Sequence, residues 1–211
     1  MNTPSHAIIN LALLAKPQLP QANLAIVIGG VLPDIPIFIF YFWAKFIVRL
    51  PEAKIWSEAY YQPLIQNFVA TFHSIPLAII LLLISYYFGW EIMQVICISL
   101  VLHSLGDLPV HNNDAHRHFF PLSNYRFISP ISYWDPKHYG TIVALIEILL
   151  VFLATLWIFP SINSGIGKVL IVLVNIFMVV VIFIFIFVLK LSPKNFSLKP
   201  PFLTHIRQHK I

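Results

Sequence analysis

Apolar residues run through this chain in long blocks, broken at intervals by proline, glycine and a few ionisable side chains. Residues 5–15 keep helical spacing through Ile8, Leu11, Ala12 and Ala15, with Ser5 as a cap after Pro4; Pro17 and Pro20 end that helix. Residues 24–32 are apolar and close on Gly29-Gly30. The run Pro33-Asp34-Ile35-Pro36 then holds the backbone out of a helix, and a second apolar helix follows over 37–50. Residues 51–71 are more polar and predict a loop with short helical pieces. Segments 75–88 and 92–106 carry no charged residue and are separated by Gly89-Trp90-Glu91. Each is shorter than the ~20 residues of a perpendicular membrane helix, so they predict a thin hairpin or draw on flanking residues. A polar and aromatic loop covers 107–140. Residues 141–159, interrupted only by Glu147, and residues 169–189, with no charge at all, predict two membrane helices.

The pattern predicts an all-α, multi-pass transmembrane helical bundle of about five apolar segments: one membrane domain over 1–190, including the loop at 107–140, and a basic tail over 191–211. Composition agrees. Of 211 residues, 59% are hydrophobic and only 10% charged, against about 25% charged in a typical soluble domain. That excludes a soluble enzyme, a disordered chain and a nucleic-acid-binding basic domain; the expected partner is membrane lipid, with no nucleic acid. The single cysteine, Cys97, lies in an apolar run and reads as an inert buried thiol. The first basic residue is Lys16, so the chain's start lacks the positive region of a signal peptide.

Charge orients the bundle. The net charge of +5 equals the five basic residues at the end, Lys190, Lys194, Lys199, Arg207 and Lys210, which have no acid among them. A basic tail after a membrane segment reads as cytoplasmic. Alternating back from it puts the loop with Arg117, Arg126 and Lys137 on the same side, together with Lys45, Arg49 and Lys54. The short loops at Glu91 and at 161–168 face the other way. The expected location is a bacterial inner, cytoplasmic membrane, with the 107–140 loop and the tail cytoplasmic.

Histidines and aspartates gather at that same level. His73 precedes one apolar segment, His103 and Asp107 close the next, and His138 precedes the fourth. In His103-Ser-Leu-Gly-Asp107 the imidazole and carboxylate are four residues apart, on one helix face, where they can share a metal or simply bond each other. Asp34 is the only acidic or basic residue between Lys16 and Lys45, either a ligand or a turn-capping group. It reaches the same level only if the N-terminal segments form a short re-entrant or interfacial hairpin. His6 and His73 are further candidates. The run from Asp107 through His111, Asp114, His116 and His118 can complete a second metal position or be merely polar. Arg117 and Arg126 suit a phosphate or another anion. The aromatic residues Phe119, Phe120, Tyr125, Phe127, Tyr133 and Trp134 suit a loop lying on lipid. Glu147 either reaches the site or pairs with a polar side chain. No phosphate-binding glycine loop and no serine nucleophile elbow is present.

The order of these residues is recognisable: an early His6, then Gly29-Gly30-Val31-Leu32-Pro33-Asp34, then Phe72-His73-Ser74 before an apolar helix, then His103-x-x-x-Asp107 closing the next. Over roughly residues 3–140 this resembles the bacterial membrane-bound metal-dependent hydrolases, a family distantly similar to zinc-dependent phospholipase C and the related single-strand nucleases. The resemblance implies metal-ligand roles for His6, Asp34, His73, His103 and Asp107, with His111, His116 and His118 as further ligands. The N-terminal tryptophan ligand of the phospholipases is missing, and no His-x-x-x-Glu follows, so one or two ions are expected rather than three. The expected cofactor is a divalent metal, zinc by its nitrogen and oxygen ligands, with manganese or iron as alternatives. Its expected use is to activate a water against a phosphoester in a phospholipid-like substrate. In that scheme Asp34 or Asp107 is catalytic, holding the water or bridging metals, and Arg117 or Arg126 steadies the substrate. The alternative is a non-catalytic membrane protein, a metal-ion carrier or a structural partner, using the same residues.

Overall fold

The computed structural model describes residues 1–16 and 18–191; the basic tail expected beyond them lies outside the described residues. The described residues form helices and loops with no strand among them. Helices α1 (Thr3–Leu14), α2 (Ala22–Val31), α3 (Ile35–Phe42), α4 (Glu52–Ser57) and α5 (Pro63–Phe72) lead to the hairpin of α6 (Ile75–Tyr87) and α7 (Glu91–Asp107). The helices α8 (Gly140–Ile158) and α9 (Gly165–Leu191) follow.

Four helical stretches are long and apolar enough to cross a membrane: Ala22–Ile47, Glu91–Val110, Gly140–Ser161 and Gly165–Ile184. A fifth is the pair α5–α6, bent by 44° between Phe72 and Ile75. The all-α, multi-pass reading with about five apolar segments therefore stands.

One local expectation is corrected and another is met. Pro33 and Pro36 do not hold the chain out of a helix. They remove the N–H donors that the Gly29 and Leu32 carbonyls would accept in an α-helix, and the chain tightens instead. Leu32–Asp34 is a 3-10 turn in which Ile35 N–H bonds the Leu32 carbonyl. Asp34 keeps a right-handed helical backbone (φ −85°, ψ −17°) within the helical stretch Ala22–Ile47, and α1 folds back along α2 so that Thr3 meets Asp34 and Ala7 lies against Gly30. The stretch 51–71 holds the short helical pieces expected of it, α4 and α5. Pro63 opens the ten-residue α5, where its missing N–H costs nothing, and Val69 and Ala70 bury one face.

Packing builds two apolar clusters. Ile8, Leu11, Ile26, Val151, Ile158, Ile162 and Ile171 join α1, α2, α8 and α9. Phe40, Ala44, Ile55, Tyr60 and Val69 join α3, α4 and α5. Small residues set the crossing of α2 with its neighbours. A methyl on Gly29 would sit 2.4 Å from the Ile96 carbonyl oxygen on α7, and one on Gly30 would sit 3.1 Å from Ala7 Cα on α1. Such close backbone approach is what glycine permits between membrane helices. Buried polar bonds then join the three: Asn10 donates to the Ser99 carbonyl (2.9 Å) and to Ser99 Oγ (2.8 Å), which donates to the Ile26 carbonyl (2.6 Å).

The long loop after α7 is held by its own bonds. Ser129 N–H meets the His111 carbonyl (3.0 Å), Tyr133 N–H meets that of Val110 (2.9 Å), and Ser132 N–H meets that of His138 (2.8 Å). These fold the loop back over the end of α7 and bury His111, His116 and His118.

Candidate metal centre

Four breaks or ends of helices and one loop bring the polar residues together. His6 is in the first turns of α1, Asp34 in the 3-10 turn, His73 at the bend between α5 and α6, His103 and Asp107 in the last turns of α7, and His116 in the loop beyond. At the bend, Ser74 caps α6 by accepting from Leu77 N–H (3.1 Å), its hydroxyl donates to the Phe120 carbonyl, and Ile75 N–H donates to the His118 carbonyl (2.9 Å). Irregular backbone inside a membrane bundle is tolerated when its polar groups are satisfied this way.

Three groups of residues place one ligand atom each within 4.8 Å of the others: His6–His103–Asp107, Asp34–His73–His103 and His73–Asp107–His116. Each pair of groups shares one residue, so the three form a closed ring. These buried groups can hold a metal ion. His73 Nε2 lies 3.5 Å from Asp34 Oδ1 and 3.9 Å from Asp107 Oδ2. His103 Nε2 lies 3.7 Å and 3.1 Å from the same two atoms. Ligands at about 2.0 Å from a tetrahedral ion sit about 3.3 Å apart, and the four separations scatter around that value.

The imidazoles face the centre with the nitrogen a metal needs. The far nitrogens are tied to backbone: His103 Nδ1 to the Gly30 carbonyl at 2.8 Å, and His73 Nδ1 to the Val69 carbonyl at 3.0 Å. A proton on each Nδ1 leaves the Nε2 lone pair pointing inward, the arrangement found behind metal-bound histidines. Both Nε2 atoms are fully buried and make no hydrogen bond. A buried polar atom without a well-formed hydrogen bond is costly, and an ion shared between these nitrogens and the two carboxylates is one way to satisfy them.

Charge and stacking point the same way. The rings of His6 and His103 stack at 3.7 Å, and those of His73 and His116 at 4.1 Å. Burial, reinforced by His73 and His111, holds His116 well below the usual imidazole range. Burial brings His6 and His118 down to about 4, against the pull of Asp107. These rings are neutral at neutral pH, the form that binds metal. His111 differs. It lies between Asp107 (3.1 Å) and Asp114 (3.0 Å). Burial and the Met1 amino group oppose its charge, yet the two carboxylates lift it to about 9.

Of the sequence-derived ligands, His6, Asp34, His73, His103, Asp107 and His116 thus converge, while His111 and His118 belong to none of the three groups; His118 Nδ1 faces the His73 carbonyl at 3.3 Å. His138 stands apart, paired with Asp135 at 2.7 Å. Arg117 bonds Asn67 and Asn124, while Arg126 bonds the Ala115 carbonyl and Gln66, so both fasten the loop to itself and to α5. Glu147 takes the second of its two readings. Its Oε1 accepts from Asn2 N–H (2.8 Å), Asn2 Nδ2 (3.0 Å) and Ser5 Oγ (2.5 Å), anchoring the start of α1.

Several supporting groups carried no mark in the sequence reading. Thr3 Oγ1 donates to Asp34 Oδ2 at 2.5 Å, and Ser104 Oγ to the His73 carbonyl at 2.9 Å. Thr3 stands three residues before His6, on the same helix face, which was the available signal. The Gly30 carbonyl offers no side-chain signal at all. No family model matches the chain, and neither a curated protein nor a solved structure with significant likeness to it was found.

Proposed function

We propose that this protein is a membrane-bound metal-dependent hydrolase acting on a phosphoester of a lipid-like substrate at the cytoplasmic face of a bacterial inner membrane. The observation that carries the reading is the pair of unpartnered Nε2 atoms, His73 and His103, aimed at Asp34 and Asp107 with their Nδ1 atoms pinned to backbone carbonyls. The order of motifs, from His6 through Pro33-Asp34 and His73-Ser74 to His103-x-x-x-Asp107, supports it through the family resemblance.

A divalent ion, zinc for this nitrogen and oxygen set and manganese or iron otherwise, supplies Lewis acidity and brings the pKa of a coordinated water to about 7. Asp34, His73, His103 and Asp107 would hold it, with His6 and His116 able to complete one or two positions. Asp34 is the most open of the carboxylates that meet His73 and His103, at 13% exposure against 2% for Asp107, so it is the group placed to accept a proton from an attacking water. Thr3 holds its other oxygen and fixes its orientation. Arg117 and Arg126, on the loop that carries His116 and His118, supply positive charge for an anionic substrate.

Elemental analysis of the detergent-purified protein tests the site, with a His103→Ala, Asp107→Ala double variant as reference. Stoichiometric metal in the wild type and none in the variant is the expected result, followed by metal-dependent hydrolysis of phosphodiester or phospholipid probes. The complete burial of His73 and His103 favours one rival, a non-catalytic membrane protein that uses the ion for structure. Bound metal without hydrolysis of any probe under zinc, manganese or iron would decide for that rival.

A further inference from the structure

A groove runs between α8 and α9. Ala144 and Ile148 line it from one helix, and Met178, Val181 and Ile182 from the other; Tyr133, Trp134 and Asn2 close one end. Its volume is about 100 Å³, and its walls cover one turn of each helix. Both walls belong to candidate membrane spans, whose other apolar side chains, Leu145, Leu149 and Val180 among them, are exposed. Within a bilayer the medium at that opening is lipid acyl chain.

The closed end is different in kind. Trp134 Nε1 donates to Asp114 Oδ2 (3.0 Å), and the Tyr133 ring packs on His111 (4.9 Å between centroids). His111 meets Asp107 at 3.1 Å. Asn2 is held by Glu147 (2.8 Å). An apolar channel thus ends on polar groups one side chain removed from the metal centre. A mostly apolar cleft with a few convergent polar groups at one end is the common form of a small-molecule site. Here it matches an amphiphile: chain along α8 and α9, head at Tyr133 and Trp134.

We infer that this groove seats one acyl chain of a bilayer lipid and delivers its head group to the His/Asp cluster. Seating of the chain stands on the groove alone; the fate of the head group rests on the hydrolase reading. Lipid tails are as apolar as the groove walls, so no hydrophobic gain separates bound from bulk chains. Selection comes from fit within the groove and from polar contacts at its closed end, and the groove should accept a chain only with a head attached.

The test uses the full chain in phosphatidylcholine vesicles doped with a phosphatidylcholine carrying a diazirine in one acyl chain. Photolysis and peptide mapping should label Ile148 and Val181 about tenfold above the outward-facing Leu149 and Leu153, the ratio that 1.4 kcal/mol of preference gives. A single-chain lysophospholipid should compete, whereas the corresponding simple alkane should not. Ala144→Trp fills the groove and should bring labelling down to the Leu149 level while metal content is kept; the competition in wild type answers the same question if that variant does not fold. Even labelling along both helices, or competition by alkane as strong as by lysophospholipid, overturns the inference. Groove labelling in a protein that binds no metal would sink the hydrolase reading and leave the groove assigned. Bound metal with even labelling would do the reverse.

Discussion

The backbone carbonyl of Gly30 and Nδ1 of His103 are joined at 2.8 Å across the crossing of α2 and α7, so one helix holds the inward-facing imidazole of the other. The bond exists because Gly29 lets the two backbones close.

Gly29→Ala attacks that crossing. Its methyl would lie 2.4 Å from the Ile96 carbonyl oxygen and 2.6 Å from Ser99 Cβ, so the helices must part. Overpacking of this kind costs about 1–3 kcal/mol. The expected result is a lower melting temperature in detergent and reduced metal content, because Gly30 moves with its neighbour. Gly165→Ala, with open space around the position, should change neither.

Thr3→Val keeps shape but removes the donor to Asp34 Oδ2. Loss of an outer hydrogen bond to a ligating carboxylate typically weakens metal binding roughly 10–100-fold. Competition against a chelator of known affinity measures this. An unchanged affinity would remove Asp34 from the ligand set.

Glu147→Leu leaves Asn2 N–H, Asn2 Nδ2 and Ser5 Oγ facing an apolar side chain. Buried groups stripped of their partner cost about 1–3 kcal/mol. Thermal unfolding should shift down, and metal affinity should weaken through His6, one residue beyond Ser5. Glu147→Gln keeps an acceptor oxygen and should lose less on both counts.

Metal removal should destabilise the wild type alone. A ligand at about 100 times its Kd adds roughly 2.7 kcal/mol to the folded state. Chelator treatment should therefore lower the melting temperature of the wild type and restore it on adding zinc. The His103→Ala, Asp107→Ala variant should melt alike with and without chelator.

The membrane helices were legible because blocks of Leu, Ile, Val and Phe need no partner to declare themselves. His103 and Asp107 were legible because helical spacing alone puts them on one face. Asp34 was singled out for a sound reason, a lone carboxylate in an apolar run, but with the wrong backbone: two prolines three residues apart suggested a break, whereas a 3-10 turn absorbs both missing donors within one span. Short helices over 51–71 were legible, but not the partners of the polar residues on α5: Gln66 and Asn67 meet Arg126 and Arg117 of the loop. What the chain's pattern does not encode is contact between elements far apart in sequence. Thr3 with Asp34, Glu147 with Asn2 and the Gly30 carbonyl with His103 are all of that kind.

The ring of three ligand groups also has a biosynthetic meaning. All six of its residues, from His6 to His116, precede α8, and the residue that anchors α1 beside them, Glu147, arrives only with α8. A nascent chain emerging in order would carry every ligand before it carried the clamp, so the last two helices serve as the bolt on a centre whose parts have already been delivered.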